Sequence, residues 1–356
     1  MTLMSEAAVI QGRTLPRGFA WTTLVASIVA SAAIFLALAL AQVTPEFNVA
    51  GAAVVGAILY LVLVGVISRL VEGRRKSIDR VMAGVITAAF LIALIPLISL
   101  VATTAADGIN RLDMQFFSSS MRNVVGAGGG GLHAIIGTLL VTGAATIISV
   151  PVGIMTAIYL VEYGKGRLAK SITFLIDVMT GIPSIVAGLF AFALFALVFG
   201  PGIRFGIGGA VALSLLMIPV VVRSTEEMLK LVPNELREAS FALGVPKWLT
   251  IVKVVLPTAI AGIITGVMIS IARIIGETAP LLIIAGLSTS MNYDLFSERM
   301  TTLPVFVYTQ YTIQGADAQA YIDRAWTGAL VLIIIVLLLN LIARIIARVL
   351  APKGSR

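Results

Sequence analysis

Two residues of opposite charge, Arg273 and Glu277, lie within a long apolar run in the second half of the chain. A charge at the bilayer centre costs at least about 2.5 kcal/mol, so charged side chains in membrane spans usually face a cavity or a partner. The spacing of four residues predicts that both side chains share one helical face. The arginine could then bind an oxyanion while the carboxylate accepts a proton or holds the empty arginine, or the pair could simply neutralise itself.

Two more charged residues accompany predicted spans. Arg223 ends an apolar run in VVVRSTEE, where it either contacts a substrate or extends its guanidinium to the membrane surface. Asp177 is predicted to pair with a neighbouring helix, or with Lys170 or Lys165 one to three turns away. All these charges therefore depend on helices for their placement.

The residue types exclude most other chemistry. The chain has no cysteine and a single histidine, His133, so disulfides, thiolate metal sites and histidine clusters are excluded. We expect His133 to be a polar residue at the outer mouth of the fourth span. No nucleophile stands with a base, and no GxxxxGK[ST] phosphate loop is present. The sequence therefore predicts neither a catalytic nor a metal site, and an intramembrane enzyme is poorly supported.

The apolar runs that must position these residues indicate an all-α integral membrane protein. Hydrophobic residues make up 59% and charged residues 12% of the 356 residues, whereas about a quarter of a soluble domain is charged. Runs of about 20 apolar residues predict transmembrane helices. The eight predicted spans cover residues 20–43, 48–67, 81–105, 132–160, 172–199, 207–222, 259–287 and 325–346.

Basic residues orient these spans. Five Lys and Arg lie between Arg69 and Arg80, and five more between Arg223 and Lys253. The positive-inside rule places these loops and both termini in the cytoplasm. The net charge of +8 fits this bias and attraction to anionic lipid, and the scatter of the basic residues argues against a nucleic-acid partner. The basic linker predicts a boundary between a two-helix extension, residues 1–75, and a core, residues 76–350.

A charged interruption, residues 226–257, separates the sixth and seventh predicted spans. Gly244 and Pro246 predict a helix, a turn and a second helix. The first helix is predicted to have one shared face, made of Leu236, Ala239, Ser240 and Leu243. Such an amphipathic helix either lies among lipid headgroups or presents a face to a cytoplasmic protein, and periodicity alone does not distinguish the two.

The residue pattern of this interruption resembles the EAA loop of ABC importer permeases. That loop has Glu-Ala-Ala, three residues, Gly, nine residues, and then an aliphatic residue, any residue and Leu-Pro. The matching positions are Glu238, Ala239, Gly244, Val254, Leu256 and Pro257. Ser240 replaces the second alanine, and Val254 stands where isoleucine is commoner. The resemblance implies a coupling helix that docks on a separate ATPase subunit.

Other stretches, among them GIPSIVAGLFAF, IPVVVRSTEEML and IGETAPL, resemble the PstA-type permeases of phosphate importers over roughly residues 80–350. The resemblance implies a core of six spans, with the first hairpin outside the family pattern. It implies a substrate path with Arg273, Glu277 and Arg223, in the cell membrane of a prokaryote. The implied partners are a paralogous second permease, two ATPase subunits that bind ATP and magnesium, an outer phosphate-binding protein and membrane lipid. The chain itself would bind no cofactor.

One alternative substrate class stays open within transport. The same machine could carry sulfate or molybdate, although Glu277 beside Arg273 favours an anion that still holds a proton, such as phosphate. A stand-alone secondary transporter would have no need of an ATPase-docking loop.

Overall fold

A computed structural model describes residues 14–16, 18–42 and 47–350, and this part of the chain contains α-helices and no β-strand. The α-helices are α1 (Phe19–Leu40), α2 (Val49–Val71), α3 (Arg74–Gly108), α4 (Met114–Ser118), α5 (Leu132–Ile158), α6 (Arg167–Thr180), α7 (Ser184–Phe199), α8 (Gly206–Lys230), α9 (Asn234–Ala242), α10 (Lys247–Thr250), α11 (Leu256–Ile274), α12 (Ala279–Ile284), α13 (Leu303–Thr312) and α14 (Ala318–Leu350). One 3-10 turn, Ile109–Arg111, follows α3. Two π-helical turns, Tyr159–Tyr163 and Ile251–Val255, follow α5 and α10.

Seven helical segments in the described part are long and apolar enough to cross a membrane, or eight if the bent pair α6–α7 counts as one span. They are α1, α2, α3, α5 with its π-turn, α8, the continuous segment Lys247–Ile274, and α14. The predicted multi-span all-α protein is thereby confirmed.

The fifth predicted span, residues 172–199, is not one straight helix. Its two halves, α6 and α7, meet at an angle of 110°. The break follows from the residues between them, because Pro183 has no amide hydrogen to donate and disfavours helical geometry at Ile182, while Gly181 caps α6. The apolar run predicted the length of this segment but not its bend, and the two halves still count as one span if the span is broken.

The sixth predicted span was too short. The helix α8 continues past Val222 to Lys230, and so carries Arg223 and Glu226 on its last turns. The helix therefore continues beyond the apolar residues, and residues 226–230 of the charged interruption belong to α8.

The packing around α8 uses small residues for close approach. At the contact between α5 and α8, a Cβ placed on Gly153 would lie 2.6 Å from the Val221 side chain. At the contact between α7 and α12, a Cβ on Gly188 would lie 2.5 Å from the Pro280 Cα. Real Cβ atoms do not approach so closely, so these helices meet only because glycine is present.

The chain forms two compact units, residues 1–101 and 102–356, and the boundary falls within α3. In the first unit, α1 packs on α2, and the buried Ser31 hydroxyl donates a 2.6 Å hydrogen bond to the Ala52 carbonyl. Glu72, just after α2, accepts two hydrogen bonds from Arg80, and these hold the pKa of its carboxyl at about 2. A separate role for residues 1–75 stays a prediction.

Candidate functional site

The loop between α8 and α11, which the basic residues predict to be cytoplasmic, has the predicted helix, turn and helix. The helix α9 is followed by Gly244 in the left-handed conformation, with φ of +75°. This conformation is strained for most residues that carry a side chain. Gly244 N donates to Phe241 O at 2.9 Å, and Val245 N donates to Ser240 O at 3.2 Å, which closes the helix end. Glycine at this position therefore sets the direction in which α9 is presented.

The predicted shared face of α9 does not behave as one surface. Ser240 is buried and its hydroxyl lies 2.9 Å from the Thr250 hydroxyl on α10, which holds the two helices together. Leu236 and Leu243, in contrast, are exposed. The loop exposes several large apolar side chains, and four of them on α9, the turn and α10 are together called the docking surface: Leu236, Phe241, Leu243 and Trp248.

The matched pattern residues divide between the outside of the loop and its base. Glu238 and Ala239 are exposed on α9. Leu256 packs against a core cluster that includes Val255 and Ala259. Pro257 lies in the first turn of α11, directly after the π-turn Ile251–Val255. Proline fits this position because a residue in the first turn of a helix needs no amide hydrogen to donate.

Arg237 anchors this loop to the rest of the core, and the sequence analysis missed it. Its guanidinium donates to Glu162 Oε1 through Nε at 3.0 Å and through Nη2 at 2.9 Å. It also donates to the carbonyls of Leu229, at 3.0 Å, and Val232, at 2.6 Å. The Glu162 side chain is only 6% exposed and that of Arg237 is 13% exposed. The loop is thus bound to the end of α8 and to the π-turn after α5.

Lys247, the first residue of α10, strengthens the same attachment. Its ammonium donates to the Glu162 carbonyl and lies 5.0 Å from the centre of the Tyr163 ring. Glu162 therefore contacts basic residues on both helices of the loop. The only sequence signal was an acidic residue at the cytoplasmic end of an apolar run, in YLVEYGKG.

Arg223 is the centre of an ion-pair network at the inner end of α8. It donates to Asp177 on α6, and at 2.9 Å to Glu226, which also accepts from Lys230 at 2.7 Å. Asp177 thus pairs with a neighbouring helix, as one of the predicted alternatives had it, and not with Lys170. The network joins α6 to α8 where the predicted spans meet the cytoplasm.

Arg273 and Glu277 do not share a helical face, which corrects the prediction from their spacing. The helix α11 ends at Ile274, and Glu277 follows in the break before α12. Gly276 has low helix propensity and Pro280 is the second residue of α12, so both residues favour a break in this segment. The two side chains form no ion pair; Arg273 is exposed and Glu277 half-buried.

Metal binding finds no support in the described residues. They contain no group of three or more His, Cys, Asp or Glu side chains that could hold an ion. The arrangement instead suits mechanical coupling and the handling of an anion. It combines exposed apolar side chains on the loop, an anchored loop and basic side chains at helix ends.

Comparison with known proteins agrees with this arrangement. The family described as binding-protein-dependent transport system inner membrane component matches residues 149–356. Phosphate transport system permease protein PstA 1 of Mycobacterium tuberculosis is 46% identical over 281 residues, which are 78% of this chain and 90% of that protein. Phosphate transport system permease protein PstA of Yersinia pestis is 40% identical over 287 residues, or 77% of this chain and 94% of that protein.

A solved structure supports the fold. A chain from the crystal structure of a bacterial ABC transporter involved in the import of the acidic polysaccharide alginate matches with a TM-score of 0.50 at 14% identity. The match covers 79% of this chain and 99% of that chain. The family match, the identities and the anchored loop agree: this chain belongs to the binding-protein-dependent transport system inner membrane components, among the PstA permeases.

Proposed function

We propose that this chain is the membrane subunit through which an ATP-driven importer carries inorganic phosphate. The relatives in Mycobacterium tuberculosis and Yersinia pestis are named as phosphate transport system permeases. The observation that carries the proposal is the docking surface on a loop whose Arg237 is bonded to Glu162 and to the end of α8. Because Arg237 bonds the loop directly to these helices, a movement of the loop would also move the ends of α5 and α8.

The docking surface suits a protein partner better than lipid. Its apolar side chains stand beside the exposed carboxylates of Glu235 and Glu238, which anionic headgroups would repel. Exposed aromatic side chains such as Trp248 are typical anchors of protein interfaces. The proposed partner is an ATPase subunit, which holds ATP and magnesium while this chain binds neither.

The proposed assembly has a second permease, two ATPase subunits and an outer phosphate-binding protein. When the ATPase subunits close on ATP, they draw the loops of the two permeases together. The anchored loop then moves the inner ends of α5 and α8, and the path opens to the side where the binding protein delivers its ligand. A paralogue as the second permease is part of this proposal.

The proposed path residues are Arg273, Glu277 and Arg223. Arg273 has no ion-pair partner in the described structure, so its charge is available to an anion, whereas Arg223 already binds Asp177 and Glu226. The half-buried Glu277 offers a carboxylate oxygen as hydrogen-bond acceptor for the proton that phosphate carries near neutral pH. This is the feature that favours phosphate over sulfate or molybdate.

The test is uptake of radiolabelled phosphate by vesicles containing the assembled complex, with sulfate and molybdate as competitors. We expect phosphate uptake to stay largely intact in the presence of a roughly tenfold excess of either competitor. We expect the Arg273→Gln variant to take up no phosphate, because the amide lacks the charge that offsets the desolvation of the anion. Arg273→Lys should restore uptake in part. Uptake of sulfate or molybdate in preference to phosphate would refute the substrate, and near-normal uptake by Arg273→Gln would refute the role of the arginine.

A further inference from the structure

A second polar site lies at the opposite end of α5 from the cytoplasmic loop. The helix α5 has 27 residues and is therefore about 40 Å long, which places its first turn on the predicted outer side. There α5, α13 and the segment between α12 and α13 border a cavity of about 450 Å³. Its polar lining residues are His133, Ser288, Thr289, Thr301, Thr309 and Gln310.

His133 is buried in the wall of this outer cavity without a hydrogen-bond partner. Its residue exposure is 4%, and Nδ1 contacts no donor or acceptor in the described structure. The ring packs edge-on against Phe306 with a centroid distance of 5.6 Å. The imidazole therefore has no protein partner that fixes its tautomer. Because Nδ1 is buried, the ring offers a donor to the cavity in the tautomer that carries the proton on Nε2.

Arg324 lies behind the same wall as a buried charge. Its exposure is 1%, its Nε donates to Gln310 Oε1 at 2.8 Å, and its Nη1 donates to the carbonyls of Gly126 and Gly128. Its Nη2 has no partner. Within the described chain, no carboxylate lies within 4.0 Å of this guanidinium.

Neither neighbouring acid neutralises Arg324. The carboxylate of Asp323 accepts a 2.8 Å hydrogen bond from Gln319, and Asp317 is exposed. The guanidinium also lies 4.5 Å from the centre of the Tyr321 ring, in a cation–π contact. A buried cation that contacts only neutral groups still carries a desolvation cost, which a nearby anion would reduce. The hydrogen bonds of Arg324 to the glycine-rich loop leave its Nη2 without a hydrogen-bond partner and its charge without a carboxylate in contact.

Gln310 connects the buried charge to the cavity. Since its Oε1 accepts from Arg324, its amide group is oriented and Nε2 remains as a donor without a partner in the described structure. The hydroxyl of Thr289, which is exposed in the lining, also makes no hydrogen bond there. The lining contains no carboxylate. Donors backed by a positive charge are typical of an oxyanion site.

We propose that the outer cavity binds free phosphate before the ion enters the transport path. His133, Gln310 and Thr289 donate hydrogen bonds to its oxygens, and Arg324 attracts it from behind the wall. The identity of the anion rests on the proposed function, whereas the existence of an anion site rests on the cavity itself. The volume is ample for a phosphate with some of its water.

The single histidine makes a site-specific test possible. The chain is labelled with ¹⁵N-histidine, assembled with unlabelled partner subunits in bilayers, and titrated with inorganic phosphate at constant pH and ionic strength. The imidazole signal of His133 is expected to shift saturably with phosphate and not with chloride. Thr289→Val should weaken this binding by about tenfold, the value of one hydrogen bond to a charged group. Thr312→Val, an exposed threonine of α13 outside the cavity lining, should leave it unchanged.

Several outcomes would overturn the proposal. They are an absent shift, an equal shift with chloride, and equal affinities of the Thr289→Val variant and the unchanged chain. A lipid headgroup offers the same phosphate chemistry, so the titration is repeated in bilayers of a phosphate-free glycolipid. If the His133 signal differs between the two bilayers before phosphate is added and free phosphate then has no effect, a headgroup occupies the cavity and the free-ion assignment fails.

The proposed function can fail separately. If the vesicles transport sulfate in preference to phosphate and sulfate shifts the His133 signal, the outer site stands and the substrate assignment is wrong. If phosphate is transported and the His133 signal never responds, the function stands and the outer site is refuted.

Discussion

Replacing Arg237 by methionine tests the mechanical attachment of the cytoplasmic loop. The change removes two hydrogen bonds to Glu162 and two to the carbonyls of Leu229 and Val232, and it leaves a carboxylate that is 6% exposed without its cation. Breaking such a buried pair costs about 3–5 kcal/mol. Even about 3 kcal/mol shifts the balance between anchored and released loop by roughly a hundredfold. We expect ATP hydrolysis to continue while phosphate uptake falls at least about tenfold.

The assay measures uptake and hydrolysis in vesicles holding each assembled variant. Lys253→Met serves as the matched control, because Lys253 is an exposed basic residue of the same loop without an ion pair. The double variant Arg237→Met with Glu162→Gln should be no worse than Arg237→Met alone, since both changes disrupt one interaction. Additive losses, or equal uptake by the Arg237→Met and Lys253→Met variants, would refute the anchor.

The remaining predictions concern three other parts of the chain. Gly244→Ala should weaken binding of the ATPase subunit in a pull-down, because φ of +75° costs other residues about 1–2 kcal/mol. Gly143→Ala is the control and should leave this binding unchanged, because its Cβ would meet no atom within 4 Å. Equal binding of the ATPase subunit by the two variants would contradict the turn argument. Gly188→Ala should lower the thermal unfolding temperature of the complex, because its Cβ would lie 2.5 Å from the Pro280 Cα; an unchanged temperature would contradict the close packing. Deletion of residues 1–75 should leave phosphate uptake intact, and a stable, assembled but inactive complex would show that the hairpin belongs to the path.

The membrane class and the cytoplasmic loop were predictable because each leaves a local signal. Apolar runs of sufficient length identify spans regardless of how the helices pack. The turn after α9 could be predicted since Gly244 and Pro246 impose their backbone preferences wherever they occur. The family pattern added the prediction of a docking role, which amphipathicity alone left open and which stays a prediction.

The breaks and long-range contacts were not predictable in the same way. Hydrophobicity did not reveal that α11 ends before Glu277, because Gly276 and Pro280 are also compatible with a packed or kinked helix. The Arg237 anchor joins residues 75 positions apart, which no periodicity records. Arg324 likewise finds its acceptors 196 and 198 positions away, so its burial appears only in the folded chain.

The central claim is that this chain couples a partner's ATP hydrolysis to phosphate movement through its anchored loop. The most direct measurement records phosphate uptake and ATP hydrolysis together, in one preparation of vesicles, with and without the outer binding protein. The account predicts that phosphate accumulates only with ATP, and that Arg237→Met separates the two rates by lowering uptake while hydrolysis persists. Phosphate accumulation without ATP, or uptake and hydrolysis that fall in strict proportion in the variant, would contradict it.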